Sequence, residues 1–410
     1  SDDAELRKAL REMRFEEGEV TSCYNPKQEN SEKLGVYEMY KQFTEKIKTL
    51  PSHRILALNR GEKEDCLKVE LHCDREKAVE KIKAKYIHGE NFADILAAAA
   101  DDSYDRLIFP SIEREVRSDL TEKADEQAIK MFEVNLKPLL MQPPLKGKTI
   151  MGLDPAYRTG CKIAVIDSSG NVLDHTVIYP TPPQNKKEEA KKTLTDLILK
   201  YNVDVISIGN GTASKESEIF VADLIKTCPR KVTYAVVNEA GASVYSASKL
   251  GTEEFPQFDV TVRSAVSIAR RLLDPLAELI KIDVKSIGVG QYQHDMPQKR
   301  LTEVLEGVVE DCVNSVGVDL NTASYSLLSY VAGLNTAIAK NIVEYRKTKK
   351  FTLRSQLLEV SKLGPKAYEQ CAGFLRILDG GEALDNTGVH PESYDAAKKL
   401  LEKYGYTEQD

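Results

Sequence analysis

The 410-residue chain has 57 Lys and Arg against 64 Asp and Glu, a net charge of −7, with 41% hydrophobic and 30% charged residues. The balance is that of a globular protein of two to four domains, and it excludes a surface built throughout for phosphate polymers, which would need an excess of cations. No apolar run approaches the roughly 18 residues of a membrane span, and the acidic start Ser1-Asp2-Asp3-Ala4 lacks the apolar core of a signal peptide. The seven Cys are scattered without a CxxC pair, which points to free thiols and a cytoplasmic location. Cys66, His72 and Cys73 match no standard zinc spacing. The chain starts without Met and reads as a processed or recombinant fragment.

Residues 1–144 read as a helical scaffold. The stretch 32–48 carries Leu34, Tyr37, Tyr40, Phe43 and Ile47 at the spacing of an amphipathic helix, and 75–86, 91–100 and 120–140 are similar. The runs 54–58 and 67–71 flank Arg60-Gly61-Glu62 and predict a short β-hairpin. Pro143-Pro144 stops the last helix. Arg54, Arg60, Arg114 and Arg117, set among Glu62, Glu64, Glu113 and Glu115, are expected to form solvated ion pairs.

From residue 148 three β-like runs (149–154, 161–167, 172–179) precede a helix (186–201), a strand (203–208), a helix from near 213, a strand (232–237) and a helix from about 240. The order β-β-β-α-β-α-β-α is that of the ribonuclease-H-like fold, a mixed sheet with helices on both faces, here over 145–275. Its ligand edge lies at the C-terminal ends of the first, fourth and fifth strands. Enzymes of that class hold two divalent cations there with three or four carboxylates. This chain supplies Asp154, then Asn210 where an acid is wanted, then Glu239. Helices resume at 266–280; on the final helix of the domain the inward position falls near Arg263 or Ser264, neither an acid, with Asp274 three turns later. Two carboxylates and an amide predict a degenerate site with no cofactor. The alternative is a metal-dependent nuclease or resolvase using Asp154 and Glu239 with Mg²⁺ or Mn²⁺. His294 is expected to hydrogen-bond its neighbour Asp295.

Residues 276–300 read as a connector, and 301–380 as short helices joined by glycine-containing turns. Stretches 326–332 and 336–347 are separated by Gly333-Leu334-Asn335, and 355–362 and 367–375 by Leu363-Gly364-Pro365-Lys366. Each is helix, apolar-Gly turn, helix, and together they predict a tandem helix-hairpin-helix. Glycine permits a positive-φ turn, and the unpaired amides opening each second helix, with the helix dipole, form a phosphate cradle. The candidate contacts are Gly333, Leu334, Asn335, Thr336 and Lys340 at the first corner, and Lys362, Gly364 and Lys366 at the second, with Arg346 as a further cation. From Asp319 to Asp379 nine Lys and Arg face five Asp and Glu, a local net of +4. Backbone contacts carry little base information, so the expected partner is RNA or DNA without sequence preference. Residues 381–410 read as the start of a truncated C-terminal region. A third reading makes the acidic segment 1–144 a docking platform for RNA polymerase.

GLDPAYRTGCKIAVID (152–167), IGNGTASKESE (208–218), NEAGASVYSASKLGTEEFP (238–256), SIARRLLDPLAELIKID (267–283), GVGQYQHDM (288–296), VGVDLNTAS (316–324) and LGPKAYEQCAGFLRI (363–377) closely resemble the bacterial Tex family of transcription accessory proteins. So do HRILALNRGE (53–62), PSIEREVRSDL (110–120) and LDNTGVHPESY (384–394). The resemblance implies a helical scaffold, a YqgF-type ribonuclease-H-like domain, tandem helix-hairpin-helix motifs and a C-terminal OB-fold RNA-binding domain. It also implies a helix-turn-helix-like portion ahead of residue 1, and an architecture similar to a eukaryotic transcription-elongation and histone-chaperone factor. This chain is expected to lack both the OB-fold and the leading portion. Only Asp154 and Glu239 match active Holliday-junction resolvases of the same fold. The expected protein is multidomain, α and α/β, and acts as a non-catalytic, sequence-tolerant nucleic-acid-binding transcription accessory factor.

Overall fold

The computed structural model describes residues 2–28 and 32–407. The chain divides into two compact units, Ser1–Phe132 with Gly290–Gln298, and Glu133–Val289 with Lys299–Asp410. Among the described residues no helix is long and apolar enough to cross a membrane.

In the first unit, α1 (Ala4–Glu17) is capped by the Asp3 carboxylate, which accepts from Leu6 N–H at 3.0 Å. β1 (Glu19–Tyr24) is the centre of an antiparallel sheet between β2 (Gln42–Lys46) and β3 (Leu67–His72). Two expectations fail here. Residues 32–48 are not one amphipathic helix, because Glu32–Tyr40 is a 3₁₀ helix and β2 follows it. Leu34, Tyr37 and Tyr40 recur every third residue, the 3₁₀ period, and all three are buried. Nor do 54–58 and 67–71 form a hairpin. The first run lies in α2 (Ser52–Lys63), burying Ile55, Leu56 and Leu58, while β3 pairs with β1. Pairing with a distant strand overrides the local pattern.

α3 (Arg75–Tyr86), capped by Asp74, and α4 (Ala93–Ser103) follow; α5 (Phe109–Leu140) belongs to this unit as far as Phe132. Arg117 pairs with Glu62 and Arg54 with Glu45, whereas Arg114 donates to the Pro110 carbonyl at 3.2 Å. The ion pairs of Asp295 come not from His294 but from Arg60 Nε at 2.6 Å and Lys63 Nζ at 3.4 Å. The half-buried Asp125 lies close enough to Asp295 to feel its charge. Burial first, then that charge, pushes the Asp125 carboxyl up to about 6.

The second unit contains a five-stranded sheet in the order β6-β5-β4-β7-β8, formed by β4 (Ile150–Asp154), β5 (Cys161–Ile166), β6 (Val172–Ile178), β7 (Val205–Gly209) and β8 (Thr233–Val237). β4, β5 and β6 run antiparallel, and β7 and β8 add parallel to β4, as the strand order predicts. α6 (Lys187–Tyr201) and α7 (Ser214–Thr227) bury Leu194, Ile198, Phe220 and Leu224 on one face. α8 (Ala242–Ala247) and α9 (Lys249–Glu254) lead into α10 (Val260–Leu273), which packs Ala265, Val266 and Ala269 on the other. The expected helix over 266–280 therefore begins earlier and breaks. Pro275 opens α11 (Pro275–Leu279), and Asp274 caps it by accepting from Ala277 N–H at 3.0 Å. Asp274 is a cap and not a site acid.

After α12 (Gln298–Val316), the strands β9 (Val318–Asp319) and β10 (Leu375–Arg376) pair in parallel and close the intervening stretch into one piece. Within it lie α13 (Tyr325–Leu328), α14 (Thr336–Thr348) and α15 (Pro365–Cys371), with α16 (Tyr394–Tyr404) beyond. Residues 381–407, in the stretch expected to begin something unfinished, are fastened to the hairpins by one buried side chain. Arg354, 1% exposed, donates to the carbonyls of Leu375 at 2.8 Å, Val389 at 2.7 Å and Thr387, and to the Tyr394 hydroxyl at 2.7 Å. The buried Asp385 accepts from Arg354 N–H at 2.8 Å and from Tyr394.

Arg354→Met should cost about 3–5 kcal/mol, because it leaves Asp385 buried without its cation, and urea unfolding followed with limited proteolysis of 382–394 checks it. Asp125→Asn should act with the opposite sign and only above acid pH. A carboxyl raised from 3.8 to about 6 stabilises the fold below pH 3.8 and loses that contribution as pH rises through 6. The variant is therefore expected to be the more stable at pH 7 and equal to the parent near pH 3.5 in paired thermal melts.

Candidate nucleic-acid interface

A helix leaves its first N–H groups without acceptors inside the helix, so what surrounds those groups decides what they bind. At the first corner Gly333 takes φ +79°, as the turn requires. Asn335 caps α14, its side chain accepting from Ile338 N–H at 2.9 Å and its carbonyl from Ala339 N–H at 2.8 Å. The amides of Thr336 and Ala337 stay unmatched among the described residues, at an exposed helix end. Leu334 turns inward and is buried, so its side chain anchors the corner and is not a contact.

The second corner is built differently from the expectation. The left-handed residue there is Lys362, φ +69°, while Gly364 is extended at φ −85° and caps α15 without a side chain. Pro365 has no N–H, so the donors are Lys366 and Ala367; Tyr368 N–H already returns to the Gly364 carbonyl at 3.0 Å. A Cβ placed on Gly364 would meet nothing within 4 Å, which leaves the approach to these amides open. The two corners brace each other. A Cβ on Gly333 would lie 2.6 Å from Gln370 Cβ, and Asn341 Nδ2 donates to the Ser361 carbonyl at 2.7 Å.

Charge singles out the same places. Lys347, Lys349 and Lys350 pair with Glu344, Glu359 and Asp379. Arg346, expected to face a ligand, is half-buried with its guanidinium on the Leu320 carbonyl at 3.1 Å, and burial lowers its pKa. Arg354 is buried and Arg376 holds the Gly373 carbonyl. Among the described residues this leaves Lys340, Lys362 and Lys366 without an acidic partner, all three exposed; Lys340 also sits 5.1 Å over the Tyr325 ring.

The sheet edge brings Asp154, Asn210 and Glu239 together, since β4, β7 and β8 are parallel and end on one side. Burial pushes the Asp154 carboxyl up, opposed by a hydrogen bond from Ser264 and by the charge of Lys162. Ser264 is thus the inward position of α10, whereas Arg263 donates to the carbonyls of Phe255 and Ser246. Burial and then Asp154 push Glu239 up, while Gly211 N–H and Arg271 pull it back. Glu239 lies across the loop after β7, so closely that a Cβ on Gly211 would fall 1.6 Å from its Oε1. Asn210 Oδ1 is spent on Glu239 N–H at 3.1 Å, so the amide that stands for an acid braces the loop. The residues do not fit a divalent cation: two carboxylates, one folded onto its loop, with no third His, Cys, Asp or Glu gathered beside them among the described residues.

These elements define a protein that joins a ribonuclease-H-like, YqgF-type sheet domain to helix-hairpin-helix motifs. Residues 1–132 match the family model described as Tex central region-like, and 148–273 the Tex protein YqgF-like domain. Residues 313–376 match a helix-hairpin-helix motif and 382–410 an HHH domain. The chain is 53% identical over 408 residues to the protein YdcI of Bacillus subtilis, covering 99% of this chain and 57% of the relative. It is 44% identical over 417 residues to the transcriptional accessory protein Tex of Neisseria gonorrhoeae, covering 99% and 54%. To the human S1 RNA-binding domain-containing protein 1 it is 38% identical over 441 residues, covering 93% and 44%. The chain belongs to the Tex family, and it spans about half the length of these relatives.

Gly333→Ala should destabilise the hairpins by about 1–3 kcal/mol, from the positive φ and the clash with Gln370. Lys362→Gly should raise stability by up to about 1 kcal/mol, because it removes a side chain from a left-handed backbone. Thermal melts of the two variants against the parent are expected to move in opposite directions.

Proposed function

We propose that this chain binds the sugar-phosphate backbone of RNA or DNA through its two hairpin corners, with little regard to base sequence, as a non-cleaving part of a transcription accessory factor. One observation carries the reading: among the described residues the exposed cations left without acids in the 319–379 stretch, Lys340, Lys362 and Lys366, stand at the two amide clusters. Unpaired amides and mobile lysines suit phosphate oxygens, which fix position but carry no base identity. The local cations also answer the net charge of −7, since a basic patch on an acidic chain confines phosphate polymers to one place. The names of two relatives, one a transcriptional accessory protein and one an S1 RNA-binding domain-containing protein, support the same setting. The nuclease reading has less support, because the sheet edge offers two carboxylates where two-metal cleavage needs more.

Fluorescence anisotropy with labelled single-stranded and duplex RNA and DNA, titrated across salt, tests it. Replacing Lys340, Lys362 and Lys366 together by Glu should weaken binding at least about tenfold and flatten the dependence of log K on log salt by about 2–3. Unchanged affinity and slope would refute the assignment. Cleavage in Mg²⁺ or Mn²⁺ that vanishes in Asp154→Asn would replace it with the nuclease.

A further inference from the structure

The carboxylates of the sheet edge are left without metal ligands to share, yet neither is left without a positive charge nearby. Lys162 stands opposite Asp154 in the β4–β5 register and is only 7% exposed. Its Nζ is fixed by the Gly160 carbonyl at 2.8 Å and by the Thr159 hydroxyl at 2.6 Å and carbonyl at 3.1 Å. Arg271, on α10, is 4% exposed and donates from Nη1 to the Asn238 carbonyl at 2.6 Å, one residue before Glu239. Among the described residues its buried Nε and Nη2 have no hydrogen-bond partner, and neither does the buried Oε2 of Glu239. A small cavity lined by Asn238, Ala240, Arg271, Pro275 and Leu279 adjoins the guanidinium. Burying a guanidinium with two unmatched nitrogens is costly unless a negative charge compensates it. Glu278 and then Glu239 are the acids whose charge acts on Arg271, and each has one buried oxygen without a partner among the described residues, but Glu278 already holds Lys281 at 2.9 Å. The acid with no other cation acting on it is Glu239.

We infer that Arg271 and Lys162 are the built-in counter-cations of Glu239 and Asp154, taking the electrostatic place of the two divalent ions and closing this edge to metal. Arg271 is a positioning residue: it holds the loop 237–240 through Asn238 and balances the carboxylate that the loop carries. The charge chemistry of a two-metal site is retained, with the cations supplied by the chain itself. The inference stands apart from the hairpin corners, and neither fails with the other.

A double-mutant cycle on the whole chain, read by thermal unfolding, tests it. Arg271→Gln should lower the melting temperature by roughly 5–10 °C, and Arg271→Lys, which keeps the charge, by less. Adding Glu239→Gln to Arg271→Gln should return at least half of the loss, because the acid that needed the cation is gone. Millimolar Mn²⁺ should leave the melting temperature of the parent unchanged. Losses that simply add, an equal loss for Lys and Gln, or a parent stabilised by Mn²⁺ would each overturn the inference. If Arg271→Gln alone is insoluble, the double variant decides: soluble protein supports the pairing, and insoluble protein refutes it.

Discussion

The first turn of a helix carries N–H groups that the helix itself cannot satisfy, and the C-terminal part of this chain is arranged around two such turns. In most helices a side chain, water or a neighbouring element takes those donors. Here Asn335 takes one at the first corner and Pro365 deletes one at the second, and what remains on each side is a pair of exposed amides. Gly333 lets the first corner sit against Gln370 of α15, and Asn341 ties α14 to the turn before α15. The amide pairs are thereby fixed relative to each other, as the proposed pair of phosphate contacts requires.

The support for that arrangement lies away from it. The β9–β10 pairing joins the two ends of the hairpin stretch, and Arg354 reaches from its middle to carbonyls on both sides of Asp385. A buried guanidinium with this many acceptors specifies one arrangement of the loops around it, since every donor lost there is a charge left unsolvated. Arg271 follows the same logic in the sheet domain, with a less complete set of partners. In both places a buried arginine holds backbone carbonyls from segments distant in sequence.

Much of this was legible in the chain because it is local. The strand order of the sheet domain, the helix at Arg75–Tyr86 and the two glycine corners follow from periodicity and turn chemistry within a few residues. What was hidden is non-local. The run 67–71 reads as half of a hairpin until β1 is known to be its partner, and 32–48 reads as a helix unless the strict three-residue spacing of Leu34, Tyr37 and Tyr40 is given weight. At the site, Lys340, Lys362 and Lys366 were visible as cations near glycine turns. Nothing in the sequence said that Arg346 would be drawn back to Leu320, or that Lys362 and not Gly364 would take the left-handed turn. The roles of Asn210, Arg271 and Arg354 depend on carbonyls and carboxylates that only the fold brings near.

The most direct measurement of the central claim is amide hydrogen exchange of the chain with and without a bound nucleic-acid strand, resolved to single residues. The account predicts new protection at Thr336, Ala337, Lys366 and Ala367, the unmatched first-turn donors of α14 and α15, with the ends of β4, β7 and β8 unchanged. Protection centred on the sheet edge, with those four amides exchanging as freely as before, would contradict it.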